Sequence, residues 1–308
     1  MVRRLINRLP RGKKKPDHHV DMRLGDGWHK RNFLAEVVIP SMFTRRHGAQ
    51  VKPVFPELKT GEVCITWIGH ASFLVQTPEH SVLIDPNWAK WLKVIKRIRQ
   101  PGFEIHDLPA IDLVLVTHAH FDHLDRRTLR MVASDQPIAV PKNCGGLVHD
   151  LGFRHVHELG HWESFEHGSL KITLTPARHW GARVLHDSHR GFGGFLVEYA
   201  GRSIFHCGDS AYFEGFREIG ERTEVEIALL PIGAYEAPTK RDVHMNPEQA
   251  LQAFMELRAR IMIPMHFGSF RLSYEPLHEP PARLRRHAEQ MALLDRVVVL
   301  NEGEPRVF

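Results

Sequence analysis

The amino-acid sequence predicts an α/β fold that contains mixed β-sheets. Short apolar segments typical of strands recur from residue 63 onward, helical patterns lie between them, and successive strands are joined both by tight turns and by helices. The predicted strands span residues 63–68, 72–76, 82–84, 113–117, 170–175, 195–199, 203–206, 227–230 and 261–264. The predicted helices span residues 88–99, 125–133, 211–220, 247–258 and 281–293.

The composition excludes several classes of protein. Of the 308 residues, 43% are apolar and 25% are charged, which is typical of a globular chain and not of a disordered, collagen-like or coiled-coil one. No apolar run approaches the roughly 18 residues of a membrane-spanning helix. Histidine is the outlier with 23 residues. Because histidine is the commonest metal ligand and a frequent acid–base group, its placement directs the search for a site.

Charge is unevenly distributed along the chain. Residues 1–16 hold seven basic side chains and no acidic one, whereas the other 292 residues carry 34 basic and 36 acidic side chains. Residues 1–60 are predicted to be an N-terminal extension with this basic arm, because prolines interrupt them, and residues 61–308 to be the main domain. A nucleic-acid partner is disfavoured, since the body of the chain has a net charge of −2.

The cysteines predict a reducing environment. Cys64, Cys144 and Cys207 are odd in number and widely separated, so neither a disulfide framework nor a Cys-x-x-Cys zinc site is expected. The first ten residues lack the apolar core of a secretory signal. Both observations predict a cytoplasmic location.

A cluster of metal-ligand residues follows one predicted strand. Residues 112–117 are largely apolar and lead into His118, His120, Asp122 and His123. Side chains two positions apart on an extended chain point the same way, so His118 and His120 can bind one ion together. As the chain turns toward the next helix, Asp122 and His123 can face a second ion. In the alternative interpretation, Asp122 only caps that helix and the histidines are exposed.

Four ligands cannot complete two metal sites, so further ligands must come from elsewhere. His179, Asp209 and His266 each follow an apolar predicted strand, and the two oxygens of Asp209 can bridge two ions. Each residue also has a simpler interpretation. His179 can be an exposed loop residue, Asp209 can cap the following helix, and His266 can bond a buried backbone group.

These residues together resemble the metallo-β-lactamase superfamily, and within it the branch of N-acyl-phosphatidylethanolamine-hydrolysing phospholipase D and L-ascorbate-6-phosphate lactonase. The similarity covers about residues 60–285 and includes the segments 67–72, 83–86, 177–180, 208–212, 244–250 and 266–270. It implies that residues 61–308 form a catalytic domain, a four-layer αβ/βα sandwich of two mixed sheets. By position it implies a first site of His118, His120 and His179, a second site of Asp122, His123 and His266, and a bridging Asp209.

The resemblance also implies cofactors and roles. Two divalent metal ions are expected, with zinc first and iron or manganese as alternatives. Such ions lower the pKa of bound water from 15.7 to about 7, so a metal-bound hydroxide is the expected nucleophile. Asp122 and His244 are the expected catalytic residues, with His244 as a donor to the substrate; alternatively His244 is a surface residue before the Asn246 N-cap. His70 is expected either to support the ligands from behind or to have a structural role at a strand turn, and not to act in catalysis.

The predicted function is a binuclear metal-dependent phosphodiesterase of phospholipase D type that acts on N-acyl-phosphatidylethanolamine-like phospholipids. An anionic substrate is expected, because two divalent ions bring four positive charges while two carboxylates and a hydroxide remove only three. Two alternatives stay open: a lactone or other small-ester hydrolase, whose carbonyl the same metals polarise, and a non-catalytic metal-binding module.

Two segments predict peripheral contact with a membrane surface. One face of the predicted helix 88–99 collects apolar residues, namely Trp88, Trp91, Leu92, Ile95 and Ile98. Apolar residues opposite lysines are typical of an interfacial helix. The basic arm, residues 1–16, adds attraction to anionic lipid. The alternatives are an ordinary surface helix and a solvated tail.

Overall fold

The described residues form two mixed β-sheets and one small hairpin. The computed structural model describes residues 31–183, 187–239 and 241–308. In chain order its strands are β1 (Cys64–Gly69), β2 (Ser72–Gln76), β3 (Ser81–Ile84), β4 (Trp91–Leu92), β5 (Ile95–Lys96), β6 (Leu113–Leu115), β7 (Ile138–Pro141), β8 (Val156–Leu159), β9 (Ser164–His167), β10 (Leu170–Thr175), β11 (Gly194–Tyr199), β12 (Arg202–His206), β13 (Ile227–Pro231), β14 (Ile261–Met265) and β15 (Pro305–Val307).

Both sheets combine antiparallel and parallel pairs. The first has the order β15-β1-β2-β3-β6-β7-β8, with a meander from β1 to β3 and parallel pairing from β3 to β8. The second has the order β14-β13-β12-β11-β10-β9, antiparallel up to β12 and parallel beyond it. The predicted α/β fold with mixed sheets is confirmed. The sequence analysis missed four strands of these sheets: β7, β8, β9 and β15. The strands β8, β9 and β15 lie at sheet edges and carry polar, partly exposed residues, whereas β7 is buried and short, with only four residues that end at Pro141.

Five α-helices occur in the described part of the chain. They are α1 (Ile39–Phe43), α2 (Arg126–Val132), α3 (Gly215–Arg222), α4 (Pro247–Glu256) and α5 (Glu279–Gln290). A π-helical turn, Leu34–Val38, leads into α1. Helices α2 to α5 match four of the five predicted helices to within four residues at each end.

The fifth predicted helix, residues 88–99, is wrong: this segment is a hairpin of β4 and β5. Leu92 pairs with Ile95, and Lys93 in the turn has a φ of +55°, which no α-helix contains. The guanidinium of Arg97 is buried and donates to the carbonyls of Ala89 (2.8 Å) and Asn87 (2.7 Å). These tertiary hydrogen bonds outweigh the helical spacing of the apolar residues.

The two sheets face one another across the largest core. In β2, Phe73 and Val75 point into this inter-sheet core, whereas Leu74 points to the other face of the first sheet. There it packs with Leu83 and Val114 near α2. Helices α3, α4 and α5 contribute to the core on the side of the second sheet. The layers are therefore helix, sheet, sheet and helix, as expected for the four-layer sandwich.

Residues before β1 run along the hairpin region. The backbone N–H of His47 donates to the Ile98 carbonyl, and the His47 carbonyl accepts from the N–H of Gln100. Val51 donates to the Gly102 carbonyl (2.7 Å). The predicted boundary at residue 60 stays a prediction, and the predicted basic arm lies outside the described residues. In the described ranges, no helix is long and apolar enough to cross a lipid bilayer.

Candidate metal centre

The seven predicted metal ligands meet at one edge of the two sheets. Each follows the carboxyl end of a strand: β6 leads to His118, His120, Asp122 and His123, and β10, β12 and β14 lead to His179, Asp209 and His266. Within each sheet these strands run in the same direction, so their carboxyl ends share an edge. The simpler interpretation of Asp122 and Asp209 as helix caps is wrong, because Asp125 caps α2 and α3 begins only at Gly215.

The first group of donors consists of three histidines and one carboxylate. Nε2 of His118 lies 2.9 Å from Nδ1 of His120, and Nε2 of His179 lies 3.2 Å from the same Nδ1. Oδ2 of Asp209 is 3.8 Å from Nε2 of both His118 and His179. The side chains of His118, His179 and Asp209 are at most 1% exposed. Four donor atoms therefore converge on one buried point.

Hydrogen bonds behind this group decide which ring nitrogen faces the centre. The Thr117 hydroxyl donates to Oδ2 of Asp85 (2.6 Å), so its oxygen is left to accept from Nδ1 of His118 (3.0 Å). Nδ1 of His179 donates to the Val243 carbonyl (3.0 Å). Since both Nδ1 atoms carry the proton, both Nε2 atoms direct a lone pair inward.

The second group contains Asp122, His123 and His266. Nε2 of His266 lies 3.4 Å from Oδ2 of Asp122, and Nε2 of His123 lies 3.6 Å from the same oxygen. His70, expected to support the ligands or to be structural, has its Nε2 only 3.0 Å from this oxygen and is buried at the turn between β1 and β2. His70 therefore belongs to the second group of donors, in contact with Asp122.

Asp209 lies between the two groups. Its Oδ1 is 3.1 Å from Nε2 of His266, and its Oδ2 is 3.2 Å from Nε2 of His123 and also faces the first group. The preceding Gly208 has a φ of +63°, and a Cβ there would lie 2.9 Å from Cβ of Thr117. Glycine at this position lets the loop after β12 approach the loop after β6.

Asp85 is a residue of the site that the sequence did not single out. It directly follows β3, and its Oδ2 accepts from Nδ1 of His123 (2.6 Å). Its Oδ1 accepts from the backbone N–H of Thr117 (2.7 Å). A carboxylate behind a ligating histidine fixes the tautomer and orientation of the ring. The available signal was the position of Asp85 at the end of a buried strand.

The hairpin supports the loop that carries Asp122. Nδ2 of Asn87 donates to the carbonyls of Phe121 (3.1 Å) and Asp122 (2.8 Å). Arg97 in turn donates to the carbonyl of Asn87 (2.7 Å). The segment that was predicted to be a surface helix is thus connected to the candidate metal centre by two successive hydrogen bonds.

The two carboxylates and their histidine neighbours shift one another's pKa. Burial alone raises the pKa of Asp122 and Asp209, but the adjacent His123 and His266 hold it well below its ordinary value. Burial alone lowers the pKa of His123, yet Asp209, Asp85 and Asp122 raise it well above the usual range. For His266 the same carboxylates raise the pKa to about 9 against the effect of burial. The buried carboxylates of Asp122 and Asp209 are therefore stable in their ionised form only with positive charge beside them.

The donors fit divalent metal ions. Nε2 of His123 and Oδ1 of Asp209 are buried and have no hydrogen bond of ordinary geometry to any described residue. In the first group, Nε2 of His118 and Nε2 of His179 both face Nδ1 of His120, and a proton on that nitrogen can bond only one or two of them. A metal cation instead accepts a lone pair from every nitrogen of the group. Imidazole nitrogens and carboxylate oxygens are ligands that suit zinc, iron and manganese.

His244 faces the candidate centre from its open side. Its Nδ1 is 3.8 Å from Oδ2 of Asp209, its ring lies 5.3 Å from that of His266, and its side chain is 14% exposed. Burial lowers the pKa of His244 to about 4. The predicted N-cap at Asn246 is present, because Asn246 and Gln249 form a reciprocal capping box at the start of α4. This cap fixes the backbone two residues after His244.

Aromatic and cationic side chains lie next to His120 and to the loop that carries Asp122. Trp180 contacts the His120 ring edge to face, with centroids 4.7 Å apart. The guanidinium of Arg183 and the ammonium of Lys93 lie 4.0 and 4.5 Å from the ring centroid of Phe121. Arg241 lies 4.5 Å from that of Trp180. These three cations thus lie on residues that neighbour the proposed ligands.

The chain is similar in sequence to a known family and to known proteins. The profile of the family described as "Beta-lactamase superfamily domain" matches residues 80–267. The mitochondrial N-acyl-phosphatidylethanolamine-hydrolysing phospholipase D of Saccharomyces cerevisiae is 32% identical over 292 residues, which cover 89% of this chain and 60% of that protein. A metal-dependent hydrolase of Methanopyrus kandleri is 33% identical over 250 residues, 78% of this chain and 97% of its own.

A solved structure shares the fold. The metallo hydrolase of the hyperthermophilic archaeon Ignicoccus hospitalis matches with a TM-score of 0.62 and 27% identity, over 80% of this chain and 98% of its own. The family profile covers more than half of the sequence, and the relatives align with most of it. The resemblance inferred from the sequence is confirmed. The chain belongs to the β-lactamase superfamily and is a metal-dependent hydrolase with the metallo-β-lactamase fold.

Proposed function

We propose that the protein is a binuclear phosphodiesterase of phospholipase D type that acts on N-acyl-phosphatidylethanolamine-like phospholipids. The observation that carries this proposal is the position of Asp209 between the two groups of donors. Its Oδ1 faces His266 of the second group, and its Oδ2 faces both His123 of the second group and His118 of the first. The ions would be held by His118, His120 and His179 on one side and by Asp122, His123 and His266 on the other, with Asp209 shared. When bound, two such ions supply Lewis-acid stabilisation of phosphoryl charge and activate water near neutral pH.

Charge supports an anionic substrate. Only two of the seven proposed ligands are carboxylates, so two divalent ions leave the donor set with a net positive charge. Arg183 and Lys93 beside Phe121, and Arg241 beside Trp180, add positive charge near these ligands. A phosphodiester carries one negative charge and gains from this field, whereas a neutral lactone does not. A hydrolase of neutral lactones is therefore less favoured.

Two residues have further proposed roles in catalysis. His244 is placed to donate a hydrogen bond to a phosphoryl oxygen or to the leaving group, because its ring borders Asp209 and reaches solvent. Asp122 contributes the oxygen that His70, His123 and His266 surround at 3.0 to 3.6 Å. That carboxylate keeps the second group in place.

A lactone or other small-ester hydrolase is the second candidate. The Methanopyrus kandleri relative matches over 97% of its length, whereas the phospholipase D of yeast matches over only 60%. The name of the former specifies a metal-dependent hydrolase without a substrate. The same donors would polarise a carbonyl as well as a phosphoryl group.

An assay with three substrates tests the proposal. Metal-loaded protein is given an N-acyl-phosphatidylethanolamine, bis(p-nitrophenyl) phosphate and a homoserine lactone. We expect phosphatidic acid and N-acylethanolamine from the first, slower cleavage of the second and none of the third. Faster lactone opening would favour the small-ester hydrolase, and no turnover of any substrate would favour the metal-binding module.

Substitutions inside and outside the candidate metal centre test whether this centre is responsible for turnover. His120→Ala and Asp209→Ala should each abolish cleavage while the circular dichroism spectrum stays unchanged. Asp112→Asn is the control, because Asp112 precedes β6 and accepts from the Ser81 backbone at the other end of the strand. Full turnover by either alanine variant after metal loading would contradict the proposal.

The proposed location is a reducing, cytoplasmic one. Cys64, Cys144 and Cys207 are all free and buried. Burial raises the pKa of Cys64 to about 11 and that of Cys144 to about 12, so neither thiol is prone to oxidation. Free thiols of this kind fit a compartment that keeps cysteines reduced.

A further inference from the structure

A set of large apolar side chains is exposed on α1 and on the hairpin. Phe43 at the end of α1 is 85% exposed, and Val94 at the tip of the hairpin is 60% exposed. The set, called here the α1–hairpin surface, consists of Leu34, Ile39, Met42, Phe43, Trp91 and Val94. Single exposed apolar residues are ordinary, but a group on neighbouring elements indicates an interaction surface.

The two elements are in direct contact. Nζ of Lys96 in β5 donates to the carbonyls of Met42 (3.0 Å) and Thr44 (2.8 Å) at the end of α1. Arg46 donates to the carbonyls of Arg97 and Lys90 (3.2 Å each). Because these bonds hold the end of α1 against the hairpin, the exposed side chains of the two elements lie on adjoining segments of the surface.

Basic residues accompany this surface. Residues 37–48 and 88–99 together hold seven lysines and arginines and no acidic residue. Arg45, Lys90 and Lys93 are exposed among them. Aromatic and aliphatic side chains flanked by cations are complementary to a bilayer with anionic headgroups. The apolar side chains insert at the boundary of the acyl chains, and the headgroups attract the cations.

The surface adjoins the candidate metal centre. Nζ of Lys93 lies 4.5 Å from the ring centroid of Phe121, the residue before the proposed ligand Asp122. Asn87 at the base of the hairpin bonds the carbonyl of Asp122. A lipid headgroup held beside Lys93 is therefore next to the loop that carries the proposed ligands.

We propose that the α1–hairpin surface docks the protein on an anionic lipid bilayer, with Phe43, Trp91 and Val94 as its apolar anchors. That the membrane supplies the substrate rests on the proposed phospholipase function. The docking itself can be measured without any turnover. Residues 88–99 were expected to contact the membrane as an amphipathic helix. We now propose that they do so as a hairpin, together with α1.

Co-sedimentation with vesicles tests the docking. Full-length protein is mixed with vesicles of phosphatidylcholine alone or with a third of phosphatidylserine, at low and at raised ionic strength. We expect binding to the anionic vesicles that weakens with salt. Replacing both Phe43→Ser and Trp91→Ser should lower the bound fraction by about tenfold or more, because two aromatic anchors are lost. Arg45→Glu with Lys90→Glu should have a similar effect.

Two control variants alter exposed residues elsewhere. Met131→Ser and Arg127→Glu lie on α2, where Met131 is 59% exposed, and both should bind like the wild type. An unchanged unfolding midpoint of the anchor variant shows that the fold is intact. Asp209→Asn should be inactive and still bind, which separates docking from catalysis.

Several outcomes would overturn the docking proposal. Wild-type binding by the anchor variant, or equal loss in Met131→Ser, would do so. So would a change of oligomeric state in the anchor variant with unchanged vesicle binding, which would mark an interface between copies. If replacing the seven basic residues of 1–16 by glutamine abolished binding while the anchor variant bound normally, the basic arm alone would be responsible. Docking without turnover would instead contradict the proposed function.

Discussion

Asp85 controls the orientation of two histidines at once. It accepts directly from Nδ1 of His123, and through the Thr117 hydroxyl it makes Nδ1 of His118 the protonated nitrogen. His118 belongs to one group of donors and His123 to the other. A single buried carboxylate therefore prepares a lone pair for each group before any ion binds.

Asp85→Asn should weaken metal binding with little effect on the fold. The amide is isosteric but uncharged, and it can no longer accept on both sides from His123 and Thr117. We expect metal affinity to fall by about 10- to 100-fold, the usual effect of losing such a partner. Competition with a chromophoric chelator measures this affinity. Asp112→Asn at the opposite end of β6 is the control, and equal affinities of the two variants would contradict the assignment.

The hairpin shows how an element can be organised by a buried cation. Arg97 is 1% exposed, donates to the carbonyls of Asn87 and Ala89, and lies 4.3 Å from the ring centroid of Phe270. Burial lowers the pKa of Arg97 to about 9, so the guanidinium remains charged at neutral pH. Since Asn87 bonds the loop with Asp122, the same interactions stabilise both the hairpin and the candidate centre.

Arg97→Leu should destabilise the protein. The substitution leaves the buried carbonyls of Asn87 and Ala89 without their donor, at a cost of about 1–3 kcal/mol for each. We expect the free energy of unfolding to fall by about 3 kcal/mol, measured from urea transitions of unchanged slope. The exposed Arg127→Leu should change it by less than about 0.5 kcal/mol. A similarly small effect in Arg97→Leu would show that the hairpin does not depend on this cation.

On the scale of the whole molecule, the candidate centre joins the two sheets. Ligands after β6 belong to the first sheet, whereas His179, Asp209 and His266 follow strands of the second. The donors meet where the inter-sheet core reaches the edge, so bound ions would connect the two halves of the sandwich. Ions that bind only the folded chain also add their binding free energy to stability.

Removal of metal should lower the melting temperature. An ion present at a hundred times its dissociation constant stabilises the folded chain by about 2.7 kcal/mol. The unfolding entropy of a chain of this size is about 0.65 kcal/mol/K, so we expect a decrease of roughly 4 °C for each ion removed by chelation, reversed by added zinc. Calorimetry with and without EDTA measures the shift, and Asp209→Asn, which lacks the shared ligand charge, should show a smaller one. Equal melting temperatures of the wild type with and without EDTA would contradict a centre that links the sheets.

The sequence by itself determined the fold class and the candidate ligands. Each ligand follows an apolar segment, and the carboxyl end of a buried strand is where polar side chains of an α/β fold come together. Strand ends are local features, so His118, His179, Asp209 and His266 were predictable one by one. Helix α4 was predictable because its cap, Asn246, is local as well. For α2 the helical pattern was predicted to within one residue at each end, but its cap is Asp125 and not Asp122.

Only the tertiary structure decided the conformation of residues 88–99, the role of Asp85 and the exposure of Phe43. The helical spacing of Trp91, Leu92 and Ile95 is real, but Arg97 bonds carbonyls that a helix would keep for itself. Asp85 acts on a histidine 38 positions away. Burial, distant hydrogen bonds and the contact between α1 and the hairpin depend on residues far apart in the chain, and local pattern contains no information about them.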